Sequence, residues 1–404
     1  MRVLAIETSC DETALSIIEA NGEKENPEFN ILGNVLISQT KIHEQYGGVF
    51  PMVAKREHGK NLVPLLLKVL EEAAQNDSGV RIHGSRKEPE TSNLQLVTSL
   101  LEREQELLPL FIDKILSMTN PGIDCIAVTE GPGLEPALWV GISFAKALGV
   151  LWKIPVVPVN HMEGHIMAAL LPKLQVKSEK FTVAEMQFPA LALLISGGHT
   201  ELVLIKTWRE YEIIGKTRDD AVGEAFDKVA RILGLPYPGG PEISSLAQKA
   251  RQAKQGSTLS PSLRSNLVLP RPMIHSDDFD FSFSGLKTAV LYLVKKLGTI
   301  NKETTMDIAR EFEDAVTETL VAKTTKAIEH YGIDSLIVSG GVIANRNIRQ
   351  SFEKISKEYS IPLFIPTIEL STDNALMIAL AGYFSFTTGS HGNELRAQGN
   401  ATLA

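Results

Sequence analysis

The chain predicts an α/β protein of two similar lobes whose ligands sit where glycine-rich turns leave the strand ends. Three observations carry that expectation. A strand–turn–strand opening at Val3–Glu19 recurs at Ala190–Ile205, with Ser196-Gly197-Gly198-His199-Thr200 as its turn. A strand at Ser335–Val338 leaves through Ser339-Gly340-Gly341-Val342 before a helix at Asn345–Lys357. A strand at Ile123–Thr129 runs into Glu130-Gly131-Pro132-Gly133-Leu134 and then an apolar helix, Gly141–Val150. Strand, glycine turn and helix together bring backbone amides close to a bound phosphate. Two halves of this kind suggest a duplicated lobe with a cleft between the copies.

Composition narrows the class. A chain of 404 residues can bury the cores of two or three domains. With 44% hydrophobic and 22% charged residues it is neither a disordered chain nor a multispan membrane protein. A net charge of −8 does not mark a nucleic-acid binder, so contact with a phosphate backbone requires a local basic patch or a partner protein. Two cysteines, Cys10 and Cys125, build no disulfide framework and point to a reducing compartment. Met1 leads straight into the apolar run Val3–Ile6, which leaves no room for a signal peptide. The longest apolar stretch, Ala145–Val159, is interrupted by Lys146, Lys153 and two prolines and is unfit to span a bilayer. The expected location is the cytoplasm.

In chain order, Val3–Ile6 reads as a buried strand, Thr8–Thr13 as a polar turn rich in hydroxyls, and Ala14–Glu19 as the returning strand. Gly47-Gly48 is a turn, and an amphipathic helix follows over Val53–Ala74. Gln75–Thr98 loses periodicity and reads as a mobile insertion. Leu100–Met118 recovers a helical pattern that Asn120-Pro121-Gly122 ends. Pro155–Val159 is a short strand. It feeds His161-Met162-Glu163-Gly164-His165, whose four-residue spacing places both imidazoles on one helix face. Such a pair can hold zinc, iron, copper or nickel, or can be two structural histidines. Asp219–Lys228 leads into an amphipathic helix that Pro236–Pro241 must stop, and Asp280–Lys287 precedes another. Ser371-Thr372-Asp373-Asn374 caps an apolar helix, Ala375–Phe384, where Asp373 reads as the capping carboxylate. The lobes are expected at 1–185, with an insertion near 75–98, and at 186–370. Residues 371–404 should return to the first lobe.

Nine stretches in a fixed order then resemble one family, the tRNA threonylcarbamoyltransferases called TsaD in bacteria and once known as O-sialoglycoprotein endopeptidases. They are Ala5–Thr13, Gly131–Leu134, His161–His165, Leu194–Thr200, Gly223–Lys228, Tyr237–Pro241, Phe281–Thr288, Ser339–Val342 with Ala344-Asn345, and Thr372–Asn374. The resemblance implies a two-lobed actin/Hsp70/sugar-kinase-like (ASKHA) fold with RNase H-like lobes. It implies transfer of a threonylcarbamoyl group from threonylcarbamoyl-AMP to N6 of the adenosine 3′ of the anticodon, forming t6A in tRNAs that read codons beginning with A. It also implies one metal, iron or else zinc or another divalent ion, on His161, His165 and Asp373. Leu194, Ile195, Ser196, Gly197, Gly198, Asp227, Gly240 and Asn345 match the family's positions for the acyl-adenylate. Asp11 or Glu12 would position or deprotonate the amine. In bacteria the implied partners, besides tRNA, are the inactive paralogue TsaB and the small ATPase TsaE.

Three departures stand out: the long Gln75–Thr98 segment, Pro136 where the family has glycine, and a Glu394–Ala404 ending without the Pro-Arg-Trp pattern. Two other enzyme classes compete. A sugar kinase or ATPase of the same fold needs no His–His–Asp metal. A zinc protease needs glutamate directly after the first histidine, whereas Glu163 stands two residues on, about 200° around the helix.

Overall fold

The structure, a computed structural model, describes all residues except 24–25, 78, 82–90, 173–179, 254–266, 390–394 and 404. The chain forms two compact units: residues 1–43, 49–184 and 372–403 make the first, and 44–48 with 185–371 the second.

The first unit is built on β1 (Arg2–Glu7), β2 (Glu12–Asn21), β3 (Glu28–Ser38), β4 (Cys125–Gly131) and β5 (Val156–Asn160), in the order β3-β2-β1-β4-β5. β1 to β3 form an antiparallel meander, and β4 and β5 join β1 in parallel. Parallel neighbours need a crossover, which the helix Glu135–Trp152 supplies between β4 and β5. One sheet face carries Leu4, Ile6, Leu15 and Ile17 into a core with Leu66, Leu70, Leu138 and Phe144 from the helices Pro51–Asn76 and Glu135–Trp152. The helix Ala375–Thr387 covers the other face, with Gly382 against Ala127 of β4. Residues Ala375–Tyr383 are all buried, as a helix with no polar face requires.

The second unit repeats the plan. β6 (Ala190–Ile195), β7 (Thr200–Thr207) and β8 (Glu210–Lys216) form the meander, and β9 (Ser335–Ser339) and β10 (Leu363–Phe364) add in parallel, in the order β10-β9-β6-β7-β8. This is the duplicated RNase H-like arrangement that the resemblance implies. Leu191, Leu193 and Leu202 meet Phe226, Phe281 and Phe312 in its core, with Phe226 and Phe312 edge to face at 5.0 Å.

Several elements differ from the sequence reading. β3, β8 and β10 were not anticipated. Gln75 and Asn76 finish the long helix, and Thr91–Thr98 belong to the helix Thr91–Leu101; residues 78 and 82–90 lie outside the described residues. That helix buries only Val97 and Leu101, too thin a stripe for periodicity to register. Leu100–Met118 is not one helix: Thr91–Leu101 ends and Leu107–Lys114 begins after a break. Pro136, the departure from the family's glycine, sits in the first turn of Glu135–Trp152, where a missing N–H leaves no bond unmade, so it suits the start of the helix.

Candidate metal centre and nucleotide cavity

The helix His161–Ala169 begins where β5 ends. Asn160 is its N-cap, with Oδ1 accepting from the N–H groups of Met162 at 2.8 Å and Glu163 at 3.3 Å. His161 and His165 therefore share one buried face, ring centroids 4.7 Å apart. The third member arrives from the chain's return to this unit. The helix Ala375–Thr387 is capped by Asn374, whose Oδ1 accepts from Met377 N–H at 3.0 Å, not by Asp373 as the sequence suggested. Asp373 is thereby left to the histidines. Its Oδ1 lies 3.3 Å from Nε2 of both His161 and His165.

The three side chains fit a metal. One donor atom from each lies within 4.8 Å of the others. Donors about 2.1 Å from one ion and about 90–110° apart stand about 3.0–3.4 Å from each other, which brackets both Nε2–Oδ1 distances. The charges agree. Burial would raise the Asp373 carboxyl, but attraction to His161 and hydrogen bonds from both rings hold it far below the ordinary carboxylate range. Burial lowers His165, and Asp373 opposes this only in part, so that ring stays neutral. Burial would lower His161 too, but Asp373 and Glu7 on either side outweigh it and hold the ring well above its ordinary value. A second carboxylate, Glu7, meets His161 from behind, its Oε2 3.1 Å from Nδ1. Two carboxylates thus face one imidazolium and one neutral imidazole, leaving an excess negative charge that suits a cation.

Asp11 and Glu12 lie at the turn between β1 and β2. Asp11 is buried, and its Oδ2 accepts from Thr40 Oγ1 at 3.3 Å. Burial and then the Asp11 and Asp373 charges push the Glu12 carboxyl well above its ordinary value, so Glu12 keeps its proton. The glycine loop read as a ligand cradle faces the chain's own tail. Gln398 N–H donates to Glu130 O at 2.7 Å, Gly133 N–H to Gly399 O at 3.2 Å, Asn160 Nδ2 to Thr402 O at 3.0 Å and Lys146 Nζ to Leu395 O at 2.8 Å. A Cβ on Gly131 would stand 2.0 Å from Gln398 O, so only glycine fits under the tail.

The second unit holds a cavity of about 430 Å³, within the usual range for small-molecule sites. Of the residues matched to the acyl-adenylate, Gly197, Asp227, Gly240 and Asn345 line it. Leu194 and Ile195 are interior residues of β6, and Ser196 and Gly198 are not among the lining residues. Gly223 must be glycine, since a Cβ there would stand 2.6 Å from Ser196 O. The N-terminal ends of the helices Val222–Ile232 and Gly239–Ala253 contribute Gly223 and Gly240, and the N-cap of Arg346–Tyr359 contributes Asn345. Helix N-termini favour anions. The Asn345 amide is already engaged: Oδ1 accepts from Asn347 and Ile348 N–H, and Nδ2 donates to buried Glu313 at 2.5 Å. Phe226, Pro238 and Pro241 give apolar walls, and Ser244, Ser245 and Gln248 polar ones.

Sequence reasoning missed Glu7, Ser9 and Thr129 around His161, and Ser244, Ser245 and Gln248 in the cavity. A signal existed for Glu7, a charged residue placed directly after the buried apolar run Val3–Ile6.

The first α/β unit thus carries a candidate metal centre, and its structural repeat a cavity of small-molecule size with helix N-termini in its wall. Comparison with known proteins makes this specific. The chain belongs to the TsaD family, tRNA N6-adenosine threonylcarbamoyltransferase, whose sequence model matches residues 30–78 and 102–380. The break at 79–101 falls where the sequence departs from the family. The tRNA N6-adenosine threonylcarbamoyltransferase of Persephonella marina is 38% identical over 406 residues, covering 100% of this chain and 95% of that protein. Those of Bacillus licheniformis and Bacillus subtilis are 41% and 39% identical, covering 96% and 97% of this chain and 93% and 92% of theirs. The chain is accordingly an acyltransferase of tRNA modification.

Proposed function

We propose that this chain moves the threonylcarbamoyl group of threonylcarbamoyl-AMP onto N6 of the adenosine 3′ of the anticodon, giving t6A and AMP. The observation that carries the reading is the release of Asp373 from capping, which completes a His161–His165–Asp373 donor set. Two histidines and one carboxylate with open positions suit iron(II), and zinc is the alternative. When bound there, the ion supplies an electrophile that polarises donor oxygens and offsets charge on the leaving phosphate.

The remaining work falls to side chains. The cavity lined by Asp227, Gly240 and Asn345 takes the adenylate, its glycines letting backbone approach the nucleotide. N6 of adenosine attacks the carbamoyl carbon, the new N–C bond forms, the C–O bond to the phosphate breaks, and AMP leaves. N6 must lose a proton. Glu12 already holds one, so Asp11 is the acceptor of the pair and Glu12 a hydrogen-bond donor. An acidic chain that engages tRNA fits a composite surface, with TsaB and TsaE as the partners if the source is bacterial and the cytoplasm as the setting.

The test supplies threonylcarbamoyl-AMP and unmodified tRNA to the metal-loaded protein, with and without the candidate partners, and measures t6A and AMP by nucleoside chromatography. Stoichiometric appearance of both is expected. Absence of t6A under every combination overturns the assignment.

A further inference from the structure

We propose that Glu7 is a positioning residue for the metal centre, fixing the His161 ring so that Nδ1 keeps its hydrogen and Nε2 is presented to the ion. The inference rests on the metal reading above and extends it to a residue outside the donor set.

The geometry is specific. Glu7 is the last residue of β1 and is fully buried. Its backbone is set by the ladder on both sides, Glu7 opposite Ala14 of β2 and Ile6 beside Val128 of β4. Donors surround its carboxylate. Ser9 N–H donates to Oε1 at 2.5 Å, Thr129 Oγ1 donates to Oε2 at 2.6 Å, and the same Oε2 lies 3.1 Å from His161 Nδ1. Ser9 Oγ, 3.3 Å from that nitrogen, steadies the ring further. With Nδ1–H directed at a carboxylate, Nε2 is the nitrogen left to give up its proton to an incoming ion, and Nε2 is the atom beside Asp373.

The cost of placing Glu7 there argues for a role. A buried carboxylate pays a large desolvation penalty, and replacing a buried ion pair with apolar groups of similar volume is often neutral or stabilising. Stability therefore gives little reason for a glutamate at the end of an apolar core strand. A carboxylate behind a metal-bound imidazole does give one: it sets the tautomer, holds the ring plane and makes the nitrogen a stronger donor.

The experiment titrates the full-length metal-free protein with cobalt(II) and follows its ligand-field absorption, for wild type, Glu7→Gln, Glu7→Ala and Thr129→Val. Proton NMR of the cobalt form looks for the exchangeable, paramagnetically shifted Nδ1–H of His161. Glu7→Ala should weaken cobalt binding about 10- to 100-fold. Glu7→Gln, which keeps an acceptor, should recover part of that loss, and Thr129→Val should lose least. The shifted N–H signal should persist in wild type and vanish by exchange in Glu7→Ala. If Glu7→Ala does not fold, Glu7→Gln and Thr129→Val decide. Affinities within twofold of wild type, with the N–H signal retained, overturn the role of Glu7 and leave the metal reading standing. A wild-type protein that binds no cobalt overturns both.

Discussion

The two units share one sheet order and use the same strand ends for opposite chemistry. β1 leaves through Glu7-Thr8-Ser9-Cys10-Asp11, and its counterpart β6 through Ser196-Gly197-Gly198-His199. β5 leaves into His161–Ala169, whereas its counterpart β10 leads into Ile365-Pro366; β4 and its counterpart β9 both leave through glycines, at Gly131 and at Gly340-Gly341. In the first unit the strand ends gather ionisable groups tightly enough to shift one another's proton affinities. In the second they shed side chains and leave a cavity. Fold fixes where a site can form, and side chains at equivalent positions decide which site it is.

The largest test removes a donor. His165→Ala or Asp373→Asn should abolish stoichiometric metal binding, read by metal analysis, and slow transfer about 10²- to 10³-fold. Because Asn374 is the cap, Asp373→Asn should leave the helix Ala375–Thr387 intact by circular dichroism. A collapse of helicity instead would return Asp373 to a structural role.

The second test asks whether acid sensitivity belongs to the first unit. His58 is buried between Thr13, Gln39 and the Cys10 carbonyl, and burial lowers it to about 4. The unfolded chain therefore binds this proton more readily than the folded one. The stability His58 contributes is full above pH 6.5, declines as pH falls, and is gone by about pH 4. The loss is about 3 kcal/mol, visible in denaturant midpoints and reduced in His58→Gln.

A third variant acts on the cavity alone. A Cβ on Gly240 meets nothing within 4 Å, so Gly240→Leu should fold, fill ligand space and raise the KM for threonylcarbamoyl-AMP about tenfold or more. Metal content should not change, and a parallel loss of metal would break the division of labour. The smallest effect is expected from Asn374→Ala, costing about 1 kcal/mol in stability with metal retained.

What the sequence disclosed follows burial. β1, β2, β4, β6, β7 and β9 were legible as apolar runs because both of their edges are paired or their faces covered, and β5, though at an edge, was legible because Val156, Val157 and Val159 keep it apolar. β3, β8 and β10 are edge strands: β3 carries Asn30, Gly33 and Asn34, β8 alternates with exposed glutamates, and β10 has two residues. Polar edges read as loops. Spacing set the histidine pair on one helix face but left a structural reading open, and Asp373 joined it only through the family resemblance. Asp373 and Asn374 are equally good caps on paper, and only the backbone path decides which one turns inward. Glu7 stayed hidden because a strand pattern records where a side chain faces, not that Thr129 and His161 meet it there.

The tail's four hydrogen bonds to Glu130, Gly133, Lys146 and Asn160 all use its backbone atoms. Leu395 in the core and buried Leu403 anchor its two ends, and between them the seat follows the backbone path. Substitution at exposed positions such as Asn400 and Thr402 can therefore proceed with little penalty, while Gly131 underneath stays constrained by a carbonyl every residue carries. An ending without Pro-Arg-Trp can occupy this groove, because an altered vocabulary still follows the same grammar of N–H and C=O.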